Sequence, residues 1–147
     1  MLKIKGAPQV EQPGLVQDYD GSIVLPAGEA RCHGDQIKYE SGDARDNLGF
    51  WTESGDWADW EFTVTKPGKF EVTAEVAAPE PASFEVSIGA QKVKADAAVT
   101  GDYGRFRRTK IGTLEIAATG KATLALHAVA DGWHPINVKS IRLKPAE

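Results

Sequence analysis

Hydrophobic and polar residues alternate along two consecutive segments near the middle of the chain. The segments are residues 58–64 and 70–76, and their apolar positions are Ala58, Trp60, Phe62, Val64, Phe70, Val72, Ala74 and Val76. A repeat of two residues puts the apolar side chains of a β-strand on one face and the polar side chains on the other. The sequence Lys66-Pro67-Gly68-Lys69 between them is typical of a turn. We therefore predict two strands, with Trp60 in the core and Asp59 and Glu61 on a hydrated face.

Further short alternating segments, separated by turns rich in Gly, Pro, Asn and Asp, occur on both sides of this pair. They cover residues 22–25, 29–33, 36–40, 83–88, 91–95, 105–109, 111–116, 121–129 and 137–143. No segment keeps a 3.6-residue repeat over three turns, so no long helix is expected. Many short strands at regular spacing are typical of a β-sandwich. The fold class predicted is all-β.

The domain organisation follows from length and from the composition of the N-terminal segment. The chain has 147 residues, enough for one domain with one hydrophobic core. Residues 1–20 contain Pro8, Pro13, Gly14 and several glutamines, and are interpreted as a lead-in or linker. We predict a single β-sandwich domain over residues 21–147.

Charge and composition argue against several classes of partner. The formal net charge is -4, whereas nucleic-acid binding needs a basic surface. The basic cluster Arg105, Arg107 and Arg108 is interpreted as a hydrated strand face. No apolar run is long enough to span a membrane. The single cysteine, Cys32, excludes an internal disulfide bond.

The sequence offers little support for catalysis. The three histidines, His33, His127 and His134, do not have the spacing of a metal site, and no Gly-x-Ser-x-Gly nucleophile turn is present. Asp56 and Asp59 with Glu53 could form a glycosidase carboxylate pair, but Asp56 fits a turn and Asp59 fits a hydrated strand face better. We predict that the protein is not an enzyme.

Several short motifs occur in an order that resembles a known family. They are Glu29-Ala30, Asn47-Leu48-Gly49-Phe50, Gly55-Asp56-Trp57, Pro67-Gly68-Lys69-Phe70-Glu71-Val72 and Thr100-Gly101-Asp102-Tyr103. This order resembles the galactose-binding-like β-sandwich of carbohydrate-binding module families 6 and 35. It is also similar to the related domains appended to bacterial fucosidases and sulfatases, through Leu25-Pro26-Ala27, His33-Gly34, Tyr39-Glu40, Gly49-Phe50-Trp51-Thr52 and Asp56-Trp57.

The resemblance implies a jelly-roll sandwich of two antiparallel sheets that binds sugar without catalysis. In that family two aromatic residues flank a sugar ring in a cleft at the loop end, and an asparagine from the last loop binds it. The first aromatic residue falls on Phe50 or Trp51, the second on Tyr103, and the polar residue on Asn137 or His134.

Sugars present apolar C–H faces and hydroxyl edges, which suit aromatic and amide side chains. Loop residues of these types are therefore candidates for glycan binding. Trp133, in the Gly-aromatic loop before the last strand, fits packing and binding equally well. The full candidate set is Phe50, Trp51, Tyr103, Trp133, His134 and Asn137.

The resemblance also implies a cofactor, a partner and a location. A structural calcium ion would have Glu29 as its acidic ligand, although the neighbouring positions are Ala27 and Arg31 rather than acids. The module would be an accessory domain of a larger glycoside hydrolase or sulfatase, and hence secreted or periplasmic. The alternatives are a structural or interaction sandwich that packs against a catalytic domain without binding sugar, and a small jelly-roll enzyme.

Overall fold

The computed structural model describes residues 15–40, 47–129, 131 and 133–146. In this part of the chain twelve strands and one short 3-10 turn, Ala27–Glu29, are formed. The strands are β1 (Leu15–Val16), β2 (Ile23–Pro26), β3 (Arg31–His33), β4 (Lys38–Glu40), β5 (Asn47–Gly49), β6 (Trp57–Val64), β7 (Gly68–Ala77), β8 (Ser83–Ile88), β9 (Gln91–Asp96), β10 (Arg107–Ile116), β11 (Gly120–Ala128) and β12 (Asn137–Pro145). No helix in the described ranges is long and apolar enough to cross a membrane.

The strands form two sheets that pack face to face. The first has the order β1-β6-β11-β8-β9, with β3 also paired to β6, and the second has the order β10-β7-β12-β5-β4, with β2 also paired to β12. All pairings are antiparallel except that of β1 with β6. The predicted fold class, an all-β sandwich of two mainly antiparallel sheets, is confirmed.

The core lies between the sheets and comes from the alternation seen in the sequence. In β6 the side chains of Trp60, Phe62 and Val64 are at most 2% exposed, whereas Glu61 is exposed. The indole N–H of Trp60 donates to the carbonyl oxygen of Pro26 at 2.7 Å, which satisfies its one buried polar group. Trp60 is therefore a core residue, as predicted.

The interpretation of Asp59 as a hydrated strand residue is wrong. Its side chain has the predicted outward direction, but it is only 7% exposed because β3 pairs with β6 and covers it. Arg31 Nε donates to Asp59 Oδ1 at 2.8 Å, and His33 Nε2 lies 3.3 Å from the same oxygen. The carboxylate is therefore part of an ion-paired cluster on the outer face of the first sheet.

Two strand boundaries also differ from the sequence prediction. In place of the two predicted strands at 105–109 and 111–116 there is one, β10 (Arg107–Ile116), whose register with β7 shifts between Lys110 and Gly112. This bulge breaks the two-residue repeat, which is why the sequence indicates two strands. Residues 47–49 form β5 beside β12, a strand that is too short to show an alternating pattern in the sequence.

Among the described residues the first strand, β1, begins at Leu15, inside the segment interpreted as a lead-in. β1 pairs with β6, and Gln17 behind it is 7% exposed. The Gln17 side chain donates to the carbonyl oxygens of Gly21 and Lys66 at 2.6 and 2.9 Å, and accepts from the backbone N–H groups of Thr65 and Lys66 at 2.8 Å each. This end of the sandwich is thus closed by one amide. Residues 1–14 of the predicted lead-in lie outside the described residues.

Replacing Gln17 with alanine is expected to lower the free energy of unfolding by about 2–3 kcal/mol, because one buried and three partly buried hydrogen bonds to the backbone are lost and each such bond contributes about 0.5–1.5 kcal/mol. Chemical denaturation would measure the loss. Gln17→Glu keeps the acceptor and loses both donors, so its loss should be intermediate. A Gln17→Ala loss below about 0.5 kcal/mol would show that water replaces the amide.

Candidate binding site

An open cavity lies at the end of the sandwich where β4 ends, β5 ends, and the segments leading into β10 and β12 meet. Its volume is about 470 Å³, which is within the range typical of small-molecule sites. The cavity is lined by Glu40, Asn47, Phe50, Trp51, Thr52, Tyr103, Gly104, Pro135 and Asn137. These residues come from five places in the chain, so only the folded sandwich assembles them.

Phe50 is an exposed aromatic residue on one wall of this cavity. Its side chain is 50% exposed, and its backbone has a φ of 55°. A left-handed conformation is unusual for a bulky residue and often marks a functional site. The ammonium group of Lys38 lies 4.6 Å from the centroid of the Phe50 ring, at cation–π distance. The ring is therefore held in place at the surface rather than buried.

Tyr103 is the second exposed aromatic residue, with 48% of its surface accessible. Its loop is fixed to the end of β7 by Thr100, whose backbone N–H donates to the Ala78 carbonyl oxygen at 2.8 Å and whose hydroxyl accepts from the Ala78 N–H at 3.1 Å. Asn137 Nδ2 donates to the Tyr103 carbonyl oxygen at 3.1 Å. The amide of Asn137 thus joins the Tyr103 loop to the start of β12.

A carboxylate and an amide form the polar wall of the cavity. Glu40 and Asn47 pair across β4 and β5, and Asn47 Nδ2 donates to Glu40 Oε1 at 3.0 Å. Glu40 crosses β5 directly above Gly49, where a Cβ atom would overlap the carboxylate. Gly49 therefore makes room for Glu40, and Asn47 fixes its orientation. Asn47 Nδ2 also donates to the Leu48 carbonyl oxygen at 3.2 Å, so both of its protons are used, and the group offered at the cavity wall is the accepting carboxylate of Glu40.

Trp51 forms the base of the cavity rather than an exposed platform. It is 1% exposed, and its indole N–H donates to the Asp56 carbonyl oxygen at 2.8 Å. Behind it lies Trp133, with ring centroids 4.6 Å apart. Trp51 can therefore support the site, but its ring faces are not open to a ligand. Of the two sequence alternatives for the first aromatic residue, Phe50 is the one with an accessible ring.

The loop that carries Trp51 is fixed by the buried carboxylate of Asp56. Asp56 Oδ2 accepts hydrogen bonds from the backbone N–H groups of Gln36 and Ile37 at 2.9 and 3.0 Å. Gly34, with a φ of 133°, passes so close that a Cβ atom would overlap this side chain. The carboxylate that the sequence assigned to a turn therefore joins two loops at this end of the sandwich.

Three of the six candidate residues are brought together with accessible groups: Phe50, Tyr103 and Asn137. Trp133 and His134 do not line the cavity. The Trp133 indole nitrogen is buried with no hydrogen-bond partner among the described residues, and His134 Nδ1 lies 2.8 Å from the Pro81 carbonyl oxygen. His134 thus contacts the β7–β8 connection instead.

Glu40 and Asn47 were missed as site residues by the sequence analysis. Glu40 belongs to the Tyr39-Glu40 motif, which indicates the family but carries no sign of a binding role. Asn47 belongs to the motif that ends in Phe50, and could have been found from that proximity. Their approach to the cavity depends on the pairing of β4 with β5.

The residues around Glu29 do not provide a side-chain cage for calcium. Glu29 is exposed, and no group of three His, Cys, Asp or Glu side chains suited to a metal occurs in the described ranges. Calcium takes six to eight oxygen ligands, with carboxylates prominent among them. The implied calcium site stays a prediction.

The remaining candidates for chemistry have structural surroundings. Trp57 stacks between His33 and His127, with centroid distances of 4.1 and 4.7 Å, so both imidazole rings pack against the indole. Burial raises the pKa of the Cys32 thiol, an effect that a hydrogen bond with the Tyr39 backbone partly offsets. A raised pKa lowers the thiolate fraction, so Cys32 is a poor nucleophile.

A family model described as carbohydrate binding module (family 6) matches residues 30–145. The chain belongs to carbohydrate-binding module family 6. This family 6 module is non-catalytic and binds carbohydrate, as the motif order in the sequence implied. The matched segment includes every residue that lines the cavity. No curated protein matches the chain.

Solved structures with the same fold include carbohydrate-binding modules of families 6 and 35. One is the CsCBM6-3 module from Clostridium stercorarium in complex with cellobiose, with a TM-score of 0.66 and 16% identity over 84% of this chain and 93% of that one. A family 35 module from Clostridium thermocellum has a TM-score of 0.67 and 16% identity over 85% and 98%.

A third similar structure is the Podospora anserina GH26-CBM35 β-(1,4)-mannanase, with a TM-score of 0.64 and 18% identity. The match covers 87% of this chain but 28% of the mannanase, so the chain spans less than a third of that enzyme. At these identities the likeness is evidence for the fold alone.

Proposed function

We propose that this module binds the end or a short stretch of a glycan in the cavity between Phe50 and Tyr103. The observation that carries the proposal is the convergence of two half-exposed aromatic rings on one cavity whose other walls hold Glu40 and Asn137. Aromatic faces offer apolar surface to the C–H face of a sugar, and a few placed polar groups fix its orientation.

The polar groups divide the recognition between two sides of the cavity. On the β4–β5 side, Glu40 is an acceptor for sugar hydroxyls, and its bond with Asn47 reduces the ordering needed on binding. On the β12 side, one proton of the Asn137 amide is used by the Tyr103 carbonyl oxygen, and the amide oxygen is an acceptor for another hydroxyl. The site would therefore hold the ring by its faces and its edges at once.

A binding screen of the purified chain against glycans tests this proposal. The first probes are cellobiose, which the C. stercorarium module holds, and β-1,4-manno-oligosaccharides, chosen from the mannanase. An array of other glycans extends the screen. We expect saturable binding that Asn137→Ala weakens about tenfold while the variant stays folded, through the loss of one well-placed hydrogen bond.

Two outcomes would contradict the proposal. If no glycan binds to the folded protein, the cavity is not a sugar site and the sandwich is better explained as a domain that packs against a neighbour. If a glycan binds and variants at Phe50, Tyr103 and Asn137 leave its affinity unchanged, the sugar site lies elsewhere on the module.

We further propose that the module is an accessory domain of a larger secreted or periplasmic hydrolase or sulfatase. The similar mannanase carries a family 35 module, and the match with this chain covers 28% of the mannanase. A module of this kind would hold the enzyme on its substrate and raise the local substrate concentration. Fusion of this chain to a hydrolase that lacks a binding module should increase activity on insoluble glycan and leave activity on a soluble oligosaccharide unchanged.

A calcium ion at Glu29 remains part of the proposal from family resemblance. Binding to the native state alone would raise the melting temperature as calcium is added. We expect a higher melting temperature in about 5 mM calcium, which exceeds the dissociation constants of weak sites, than in a chelator. The Glu29→Gln variant should show no such difference. Equal melting temperatures for the wild-type protein in both conditions would remove calcium from the description.

A further inference from the structure

The basic cluster that the sequence analysis left as a hydrated strand face lies beside the proposed sugar cavity. The run Arg105-Phe106-Arg107-Arg108-Thr109-Lys110 has four cations and no acid, in a chain whose formal net charge is -4. Gly104 lines the cavity, and Arg105 is the next residue, so their Cα atoms are about 3.8 Å apart. The cations therefore continue directly from the cavity wall.

A further cation, Lys139 of β12, lies close to this basic segment. Lys139 lies in the register shift between Val138 and Ser140, two residues after the cavity residue Asn137. Its ammonium group is 4.8 Å from the centroid of the Phe106 ring. This contact brings the Lys139 ammonium group to Phe106, the residue between Arg105 and Arg107 in sequence. We define the two exposed arginines on either side of Phe106, Arg105 and Arg107, as the cationic edge.

The arginines of the cationic edge differ from Arg108 in direction and in surroundings. Arg107 pairs with Val76, which faces the sandwich interior, and is exposed because it begins its strand at the cavity end. Arg108 pairs with Glu75 on the outer face of the sheet. Neither Arg105 nor Arg107 forms an ion pair within the described part of the chain. Their charge is thus available to a ligand.

The charges around the cavity are arranged asymmetrically. Glu40 is on β4, and the cationic edge adjoins β10, which lie at opposite edges of the second sheet in the order β10-β7-β12-β5-β4. Four strand spacings of about 4.8 Å separate these edges. The anionic group of a charged glycan would be attracted toward the arginines beside β10 and repelled by Glu40 on β4. The asymmetry therefore gives a bound chain a direction.

From this geometry, and given the glycan site of the proposed function, we propose that the cationic edge binds an anionic substituent, sulfate or carboxylate, on a sugar next to the one in the cavity. Guanidinium groups bind such planar or tetrahedral oxyanions through paired, charge-assisted hydrogen bonds. The ligand class is then an anionic polysaccharide, whose neutral ring lies between Phe50 and Tyr103 and whose charged neighbour lies against Arg105 and Arg107.

The experiment compares neutral and anionic derivatives of the same backbone. The probes are hydroxyethyl cellulose, carboxymethyl cellulose and cellulose sulfate, together with dextran, carboxymethyl dextran and dextran sulfate. We expect at least one anionic derivative to bind about tenfold more tightly than its neutral counterpart at low salt, with the preference falling as salt is added. The carboxymethyl and sulfate arms distinguish the two anions.

Variants separate a built subsite from general charge attraction. In Arg105→Gln/Arg107→Gln the ratio of anionic to neutral affinity should fall to about one, whereas in Arg108→Gln it should stay near the wild-type value. All three positions are exposed, so circular dichroism and thermal melting should show folded proteins. An equal loss in the Arg108→Gln variant, or no anionic preference in the wild-type protein, would overturn the inference.

The outcomes also distinguish this inference from the proposed function. Binding of neutral glycan without any anionic preference would contradict the cationic edge and leave the cavity proposal intact. Binding to none of the six probes would contradict the inference, while the glycan array would decide separately whether the cavity binds another sugar.

Discussion

Replacing Phe50 and Tyr103 together with alanine is expected to weaken glycan binding at least about a hundredfold. Truncation of a central aromatic contact residue typically costs about 2 kcal/mol or more, and each 1.4 kcal/mol is a factor of ten in affinity. Both side chains line the cavity and are about half exposed, so both rings are available to a sugar. Isothermal titration calorimetry with the best glycan from the screen would measure the change.

The same exposure predicts a small effect on stability. Neither ring belongs to the core, so the free energy of unfolding should fall by less than about 1 kcal/mol. Tyr19→Ala is a matched control, because Tyr19 is 88% exposed and contacts Lys66 at the opposite end of the sandwich. Affinity that is unchanged in the double variant, or reduced equally in Tyr19→Ala, would remove the two rings from the site.

Trp51 is not a suitable target for this experiment, although the sequence made it an equal candidate. Its side chain is buried, donates to the Asp56 carbonyl oxygen and packs on Trp133. A Trp51→Ala variant would leave a large cavity below the site. Any loss of binding in that variant would therefore combine a folding defect with a local change.

Replacing Trp60 with alanine is expected to lower the free energy of unfolding by about 3–5 kcal/mol, the range for removing a large aromatic side chain from a core. Trp60 is 0% exposed, and its loss also leaves the Pro26 carbonyl oxygen without its hydrogen-bond donor. Urea denaturation with the m-value held common to both proteins would give the difference.

Trp57 provides the comparison on the opposite face of the same strand. It is partly exposed and stacks on His33 and His127. Because each stacking contact contributes about 0.5–1.5 kcal/mol, Trp57→Ala should cost about 1–2 kcal/mol, less than Trp60→Ala. A Trp60→Ala loss below about 1 kcal/mol, or a loss no greater than that of Trp57→Ala, would contradict the placement of Trp60 in the core.

The outward-facing carboxylate Asp59 shows where alternation stops being informative. A two-residue repeat gives the face of the sheet on which a side chain lies, and Asp59 does lie on the outer face of β6. Whether that face is hydrated depends on the neighbouring strand, and β3 brings Arg31 and His33 over it from 28 and 26 residues away. Burial of this residue is a property of strand pairing, which the local pattern does not contain.

Phe50 and Trp51 show a second limit of inferring burial from alternation. Leu48 is buried, so strict alternation from it would put Phe50 inside and Trp51 outside. The left-handed backbone at Phe50 reverses this order, and Phe50 is exposed while Trp51 is buried. A single positive φ at a non-glycine residue leaves no reliable mark in the sequence, so the sequence kept both alternatives open.

The sequence by itself determined most of the strands, the core face of β6 and the family, and it indicated Tyr103 and Asn137 as candidates for sugar binding, because alternation and short ordered motifs are local properties of the chain. The tertiary structure alone decided that Phe50 is the accessible ring, that Glu40 reaches the cavity over Gly49, and that Gln17 closes the other end of the sandwich. These features depend on contacts between segments that pair or meet only in the folded sandwich, and such contacts follow from register and loop conformation rather than from periodicity.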